Sequence, residues 1–231
     1  LGLEGWAERM VKAAGFKGTP IVASRGVKAL KAGHSHGEKQ GGHTHSHGGL
    51  DPHAWQDVAN AKIYVANIRD GLPLLRAWLL GVAADSPNAA AYAEAAARYT
   101  ARLDALDRDI RAMFEAIPRE RRRVVTSHEA FAYFADAYGV EMFAVAGTWR
   151  DAEPSAKELA ALAAQVKRQR IRALFIENAG SGMALKALAN EVGVAVGGAL
   201  YADALSPPGG PAPSYIDMMR YNATTIAAAL R

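Results

Sequence analysis

Three residues far apart in the chain, His53, His128 and Asp203, carry side chains able to hold a cation. His128 directly follows a β-prone run at residues 123–127, and Asp203 follows a second run that ends near Leu200. In open α/β sheets, ligands gather at the carboxyl ends of the strands. Both side chains are therefore expected on the same sheet edge. His53 begins a helix in an earlier part of the chain and can face them across a cleft. Imidazole nitrogen and carboxylate oxygen together suit a borderline ion such as Zn²⁺. No local spacing joins the three, which sit 75 positions apart each time, and each has a plainer reading. A histidine at a helix start serves as a cap or surface residue, and an Asp in a Pro-rich loop as a turn residue. Glu177 closes another predicted strand at the same edge. It is a ligand, a carboxylate that orients a histidine from behind, or a capping acid, and the last two readings are favoured over the first.

A second set of imidazoles is local. Residues 33–49 hold His34, His36, His43, His45 and His47 among six glycines and polar residues. With no apolar side chain to pack, this stretch is expected to be a mobile loop. Neutral imidazoles bind Zn, Cu and Ni well. Ordering the loop costs conformational entropy, so it forms a weak, multi-site trap rather than one geometric site. Its plainer reading is a His-rich linker.

The elements that position these groups follow from periodicity. Tyr92, Ala96, Tyr99, Leu103, Leu106, Ile110, Met113 and Ile117 recur at alternating spacings of four and three, one apolar stripe on a helix. Ser86 suits the N-cap and Pro87 the first helical position, and Pro118 stops the run. Such a helix spans roughly 45 Å, long enough to bridge two parts of the molecule. Before it, residues 3–14 read as a short amphipathic helix with Trp6, Met10 and Val11 on one side. Residues 19–24 read as a strand and 57–70 as a helix, with 71–81 of open form. After it, strands at 123–127, 140–145, 172–176 and 194–200 alternate with helices at 129–138, 155–169, 181–191 and 213–230. This alternation predicts an open, mostly parallel α/β sheet. Ser155 and Glu158 have the spacing of a capping box. The organisation expected is a partial N-terminal lobe at 1–85 carrying the His-rich loop, a bridging helix at 86–118 and a C-terminal α/β lobe at 119–231.

Composition removes several classes. The 231 residues are half apolar, enough for one large or two modest cores. The net charge of +4 lies mostly in Arg119, Arg121, Arg122 and Arg123 and in Lys167, Arg168, Arg170 and Arg172. These are not interleaved with aromatics, so they read as solvated faces and not as a nucleic-acid surface. The chain has no cysteine, which excludes disulfides and thiolate metal sites. No run of 18 apolar residues is present to cross a membrane. There is no Gly-x-Ser-x-Gly elbow and no His-Glu-x-x-His. Trp55, Tyr133, Trp149 and Tyr201 read as packing residues rather than a ligand cage.

Taken in order, Gly2-Leu-Glu-Gly-Trp6, the internal His-rich loop, Asp51-Pro-His-Ala-Trp55, the long helix, Thr126-Ser-His-Glu-Ala-Phe131, Phe175-Ile-Glu-Asn178 and Leu200-Tyr-Ala-Asp203 resemble the solute-binding proteins of zinc and manganese ABC transporters. These are the cluster A-I periplasmic metal-binding proteins. The resemblance covers nearly the whole chain. It implies two α/β lobes joined by one long helix, with the metal in the cleft between them. It also implies that His53 is the ligand from the N-terminal lobe, and that His128 and Asp203 are ligands from the C-terminal lobe. A Glu typically replaces His128 in manganese-binding relatives, so the histidine favours Zn²⁺. The function implied is binding of Zn²⁺ with high affinity in the periplasm and its delivery to a membrane permease, without catalysis. A periplasmic zinc metallochaperone is a further partner, nucleic acid is not, and the protein is expected as a monomer. The family's remaining histidine ligand precedes the Gly-Leu-Glu segment, so the chain is expected to be N-terminally truncated, with any signal peptide or lipid anchor upstream. The stretch 73–81 looks longer than in the family. Two alternatives stand beside this reading. One is a manganese-binding lipoprotein of the same fold. The other is a zinc-dependent hydrolase using Glu129 or Glu177 as base.

Overall fold

The computed structural model describes residues 1–33, 49–80, 88–146, 155–178 and 182–231, with the side chains of 77–80 outside the description. Its centre is a sheet of four strands, β1 (Arg123–His128), β2 (Glu141–Ala146), β3 (Ala173–Glu177) and β4 (Val196–Leu200). Every neighbouring pair is parallel and the order is β2-β1-β3-β4. The α/β class expected from the alternation is what forms.

Helices cover both faces, because successive strand residues point to opposite sides. Val124, Met142, Phe175 and Leu200 face one core together with Leu103, Leu106, Ile110, Phe114, Phe134 and Met219. Val125, Phe143 and Leu174 face a second core with Val166, Leu185 and Leu188. The first core is closed by α3 (Asn88–Glu115), α4 (Ala132–Tyr138) and α7 (Tyr215–Leu230), the second by α5 (Ala156–Gln169) and α6 (Met183–Val192). Local chemistry sets the helix ends. Ser155 and Glu158 form the reciprocal capping box, and Gly139 ends α4 in the left-handed conformation at φ 66°.

The long helix forms with 28 residues, about 42 Å. Its apolar stripe divides in use. Leu103, Leu106, Ile110 and Phe114 are buried in the core beside the sheet, while Tyr92 and Ala96 are only partly covered. The expected cap at Ser86 and Pro87 lies outside the described residues. Alongside α3 runs α2 (Val58–Leu80), a single helix that carries Pro73 in its interior. Residues 71–80 therefore extend the helix. Lys62, near the start of α2, pairs with Asp104 in the second half of α3 at 2.8 Å, so the two helices pass in opposite directions.

One expectation for the first part of the chain is corrected, and the helix read at residues 3–14 forms over a shorter span. Residues 19–24 form no strand but turns and extended chain laid against α2. Asn67 Nδ2 donates to the carbonyls of Ala23 and Arg25 at 2.7 and 2.8 Å. Ile21 lies so close to Gly71 that a Cβ there would sit 2.5 Å from its Cγ1. A β-prone run needs a neighbouring strand to satisfy its backbone, and among the described residues this part of the chain pairs only at an isolated antiparallel bridge, Lys31 with Leu50. The first helix, α1 (Ala7–Ala13), buries none of its residues, and Trp6 and Met10 are 54% and 61% exposed. On its apolar side Val11 is the residue that is partly covered. The basic run at 119–123 is not wholly solvated either: Arg122 is buried and its Nε donates to the Ile117 carbonyl at 2.8 Å.

Candidate metal site

Two strands end in a candidate site residue and a third leads to one. His128 is the last residue of β1 and Glu177 the last of β3, while Asp203 lies three residues beyond β4. The fourth element is a 3₁₀ turn, Ala54–Gln56, which begins directly after His53. One ligand atom from each of His53, His128 and Asp203 lies within 4.8 Å of the others, and among the described residues this is the group placed to hold a metal ion. His53 Nε2 is 3.4 Å from Asp203 Oδ1, and His128 Nε2 is 3.6 Å from Asp203 Oδ2. A tetrahedral ion with ligand bonds of about 2.0–2.1 Å separates its ligands by about 3.3 Å. Each imidazole nitrogen is thus near that distance from one oxygen of the Asp203 carboxylate, Oδ1 for His53 and Oδ2 for His128.

Both imidazoles are aimed from behind by a buried carboxylate. Asp51 Oδ1 accepts from His53 Nδ1 at 2.7 Å and from the His53 backbone N–H at 2.9 Å. Glu177 Oε1 accepts from the His128 backbone N–H at 2.9 Å, and its Oε2 contacts His128 Nδ1. Each ring turns its Nδ1 toward a carboxylate, hydrogen-bonded in His53 and in close contact in His128, and presents Nε2 to the site. This arrangement orients a metal-binding histidine and raises its basicity. The two histidines are 3% and 2% exposed, whereas the Asp203 side chain is one-third exposed. The site is thus closed on the imidazole side and reaches solvent at the carboxylate.

The Asp203 loop is tied to the His53 turn through one carbonyl. Trp55 Nε1 and Gln56 Nε2 both donate to Ala202 O, at 3.0 and 3.2 Å. From the other side, Asn222 of α7 accepts from the Tyr201 N–H and donates to the Tyr201 carbonyl, at 2.9 and 2.7 Å. Tyr215 donates to the Trp55 carbonyl at 2.7 Å. Trp55, read from sequence as packing, therefore also holds the loop of a site residue.

The electrostatics agree with a cation site. Burial pulls the His53 pKa down, but the hydrogen-bonded carboxylates of Asp203 and Asp51 outweigh it and raise the value from 6.5 to about 9. A positive charge is stabilised where the three donors meet.

The structure brings together His53, His128 and Asp203 and sets Glu177 behind His128. His34, His36, His43, His45, His47 and Trp149 lie outside the described residues. Asp51 was not singled out from the sequence. Its signal was the Asp-x-His spacing, in which an Asp side chain turns back to the backbone two residues on.

A parallel α/β sheet whose strand ends converge on two buried imidazoles and a carboxylate defines a binding protein for a divalent cation. A family model described as the periplasmic component A of the zinc-uptake complex matches residues 1–229, and the chain belongs to that family. The family is one of substrate-binding transport components and not of enzymes. Among curated relatives, the manganese-binding lipoprotein MntA of Halalkalibacterium halodurans is 32% identical across all of this chain and 69% of its own length. The iron-binding protein YfeA of Yersinia pestis is 30% identical over 98% of this chain and 67% of its own length. The solved structure of the periplasmic zinc-binding protein TroA from Treponema pallidum superposes with a TM-score of 0.71 at 32% identity, covering 79% of this chain and 64% of that one. The chain thus spans about two thirds of the length of these relatives.

Proposed function

We propose that this protein binds Zn²⁺ outside the cytoplasm and delivers it to the membrane permease of an ABC transporter. The observation that carries the reading is the approach of His53 Nε2 and His128 Nε2 to the two oxygens of the Asp203 carboxylate, at 3.4 and 3.6 Å, with one atom of each residue within 4.8 Å of the others. The ion is the cargo. Two nitrogen donors and one carboxylate suit a borderline cation better than a hard one, and the relatives' names bracket the choice among manganese, iron and zinc. A manganese cargo is the second reading, because the first relative named above is a manganese-binding lipoprotein.

In this reading residues 1–85 belong to an N-terminal lobe, the helix at 86–118 bridges to it, and 119–231 form the C-terminal lobe, with the site between. Glu177 keeps His128 aligned from behind. The His-rich stretch supplies weaker imidazole sites that gather the ion or pass it on, with a periplasmic zinc metallochaperone as a further partner. The protein acts as a monomer. Localisation in the periplasm is supported by the family description and by the relatives. No helix among the described residues is long and apolar enough to cross a membrane.

The test is a titration with Zn²⁺ and Mn²⁺ against a chelating competitor, with bound metal counted by native mass spectrometry. One tightly bound Zn²⁺ is expected, with Mn²⁺ much weaker. His128→Ala should abolish tight binding and Glu177→Gln should weaken it by about 10–100-fold. Deleting residues 34–47 should lower the stoichiometry and spare the tight site. Unchanged tight affinity in His128→Ala overturns the assignment, and tighter Mn²⁺ than Zn²⁺ transfers it to manganese.

A further inference from the structure

Tyr133 stands behind the site, on the helix that follows His128. It is 4% exposed, and its hydroxyl makes two hydrogen bonds. The Leu30 N–H donates to it at 2.9 Å, and it donates to the Asp51 carbonyl at 3.1 Å. The third side closes directly, because the Asp51 N–H donates to the Leu30 carbonyl at 2.9 Å. Leu30, Asp51 and Tyr133 thus form a closed ring of hydrogen bonds. The Asp51 backbone is engaged in this ring and its carboxylate Oδ1 on His53.

The ring joins two parts of the chain that carry separate ligands. Asp51 is two residues from His53. Tyr133 is in the first turn of α4, five residues after His128. Burial raises the Tyr133 hydroxyl above its ordinary pKa, so it keeps the proton that it donates. Backbone groups held in a buried network of this kind have little freedom to shift.

We infer that the Tyr133 hydroxyl and the Asp51 carboxylate are positioning groups that fix His53 relative to His128, so that both Nε2 atoms meet one divalent cation. The inference rests on the metal-binding reading above and deepens it. Tyr133 latches the Asp51 backbone to α4, and Asp51 transmits that position to the His53 ring. Without the latch the two imidazoles are still present, but their separation is no longer set before the ion arrives. The ion must then organise its own site, and affinity falls.

The test uses the intact protein and three variants, Tyr133→Phe, Asp51→Asn and Tyr138→Phe. Tyr138 is the control. It lies on the same helix, is 4% exposed, and its hydroxyl donates to Asp107 at 3.1 Å, on the side of α3. Zn²⁺ affinity is read by chelator competition, and site geometry by the visible spectrum of the Co²⁺-loaded protein. Tyr133→Phe and Asp51→Asn should each weaken Zn²⁺ by about 10–100-fold and alter the Co²⁺ spectrum. Tyr138→Phe should leave both as in the wild type, whatever it does to thermal stability. Wild-type affinity and spectrum in Tyr133→Phe overturn the inference, and so does an equal loss in Tyr138→Phe, which marks a general effect of stability.

A metal-free readout separates this inference from the metal reading. The His53 Nδ1–H should give a slowly exchanging proton resonance in the wild type, exchanging faster in Tyr133→Phe and in Asp51→Asn. If the wild type shows that pattern but binds no metal, the cargo reading fails and the clamp stands as a structural device only. If it binds metal but lacks the protected proton, the positioning role fails alone.

Discussion

At the scale of the residue, the site is two imidazoles whose back nitrogens are occupied. A metal binds neutral imidazole, so it competes with the proton on His53. The carboxylates of Asp203 and Asp51 raise the His53 pKa from 6.5 to about 9, and the competition therefore reaches into the alkaline range. Zinc affinity should rise with pH up to about 9 and level off above it, as measured by competition at a series of pH values. For folding of the metal-free protein the sign is opposite. A folded pKa above the unfolded one means that the protonated, ion-paired His53 contributes fully below pH 6.5, and that this is lost as pH rises through about 9. Denaturation in the presence of a chelator should show stability declining across that window. Saturating zinc should remove the decline.

At the scale of the element, each functional side chain sits at a strand end or a tight turn, where chain direction is set by packing behind it. The turn from α4 into β2 is an example. Gly139 adopts φ 66°, and a Cβ there would lie 3.3 Å from the Arg122 guanidinium. Arg122 in turn holds the Ile117 carbonyl at the end of the long helix. Gly139→Ala should cost about 1 kcal/mol, read from urea denaturation, and leave zinc affinity unchanged because the turn lies at the end of the sheet away from the site. A loss of affinity would show that this turn sets the position of β1. The strand expected at residues 19–24 failed at this same scale. Its residue types favour extended chain, but propensity without a partner strand does not make a sheet.

At the scale of the whole molecule, the candidate ligands His53, His128 and Asp203 come from segments separated by the long helix and by most of the sheet. An ion that touches all of them binds the folded chain and not the unfolded one. Zinc at a thousandfold excess over its dissociation constant should therefore stabilise the protein by about 4 kcal/mol, visible as an upward shift in melting temperature. Asp203→Ala should reduce that shift far more than it lowers the melting temperature of the metal-free protein. Equal shifts in the two proteins would mean that the stabilising ion sits elsewhere.

Much of this was legible in the chain. The alternation of β-prone and helical runs after residue 119 determined the parallel α/β class, because each βα unit declares itself through local periodicity and caps such as Ser155 with Glu158. His128 and Asp203 were readable as candidates because strand ends can be found locally and ligands collect at the carboxyl edge of a sheet. Three matters belonged to the tertiary structure. Residues 71–80 had no clear form in sequence, and in the structure they continue α2, with Gly71 close against Ile21. From sequence His53 could face the other two across a cleft, and the family resemblance implied that it is a ligand, but no local rule spans 75 positions to fix the juxtaposition. Asp51 and Tyr133 look like an ordinary turn acid and a core aromatic in sequence. Their roles depend on hydrogen bonds that run between segments, and such bonds exist only once the chain has brought distant backbone groups within about 3 Å of one another.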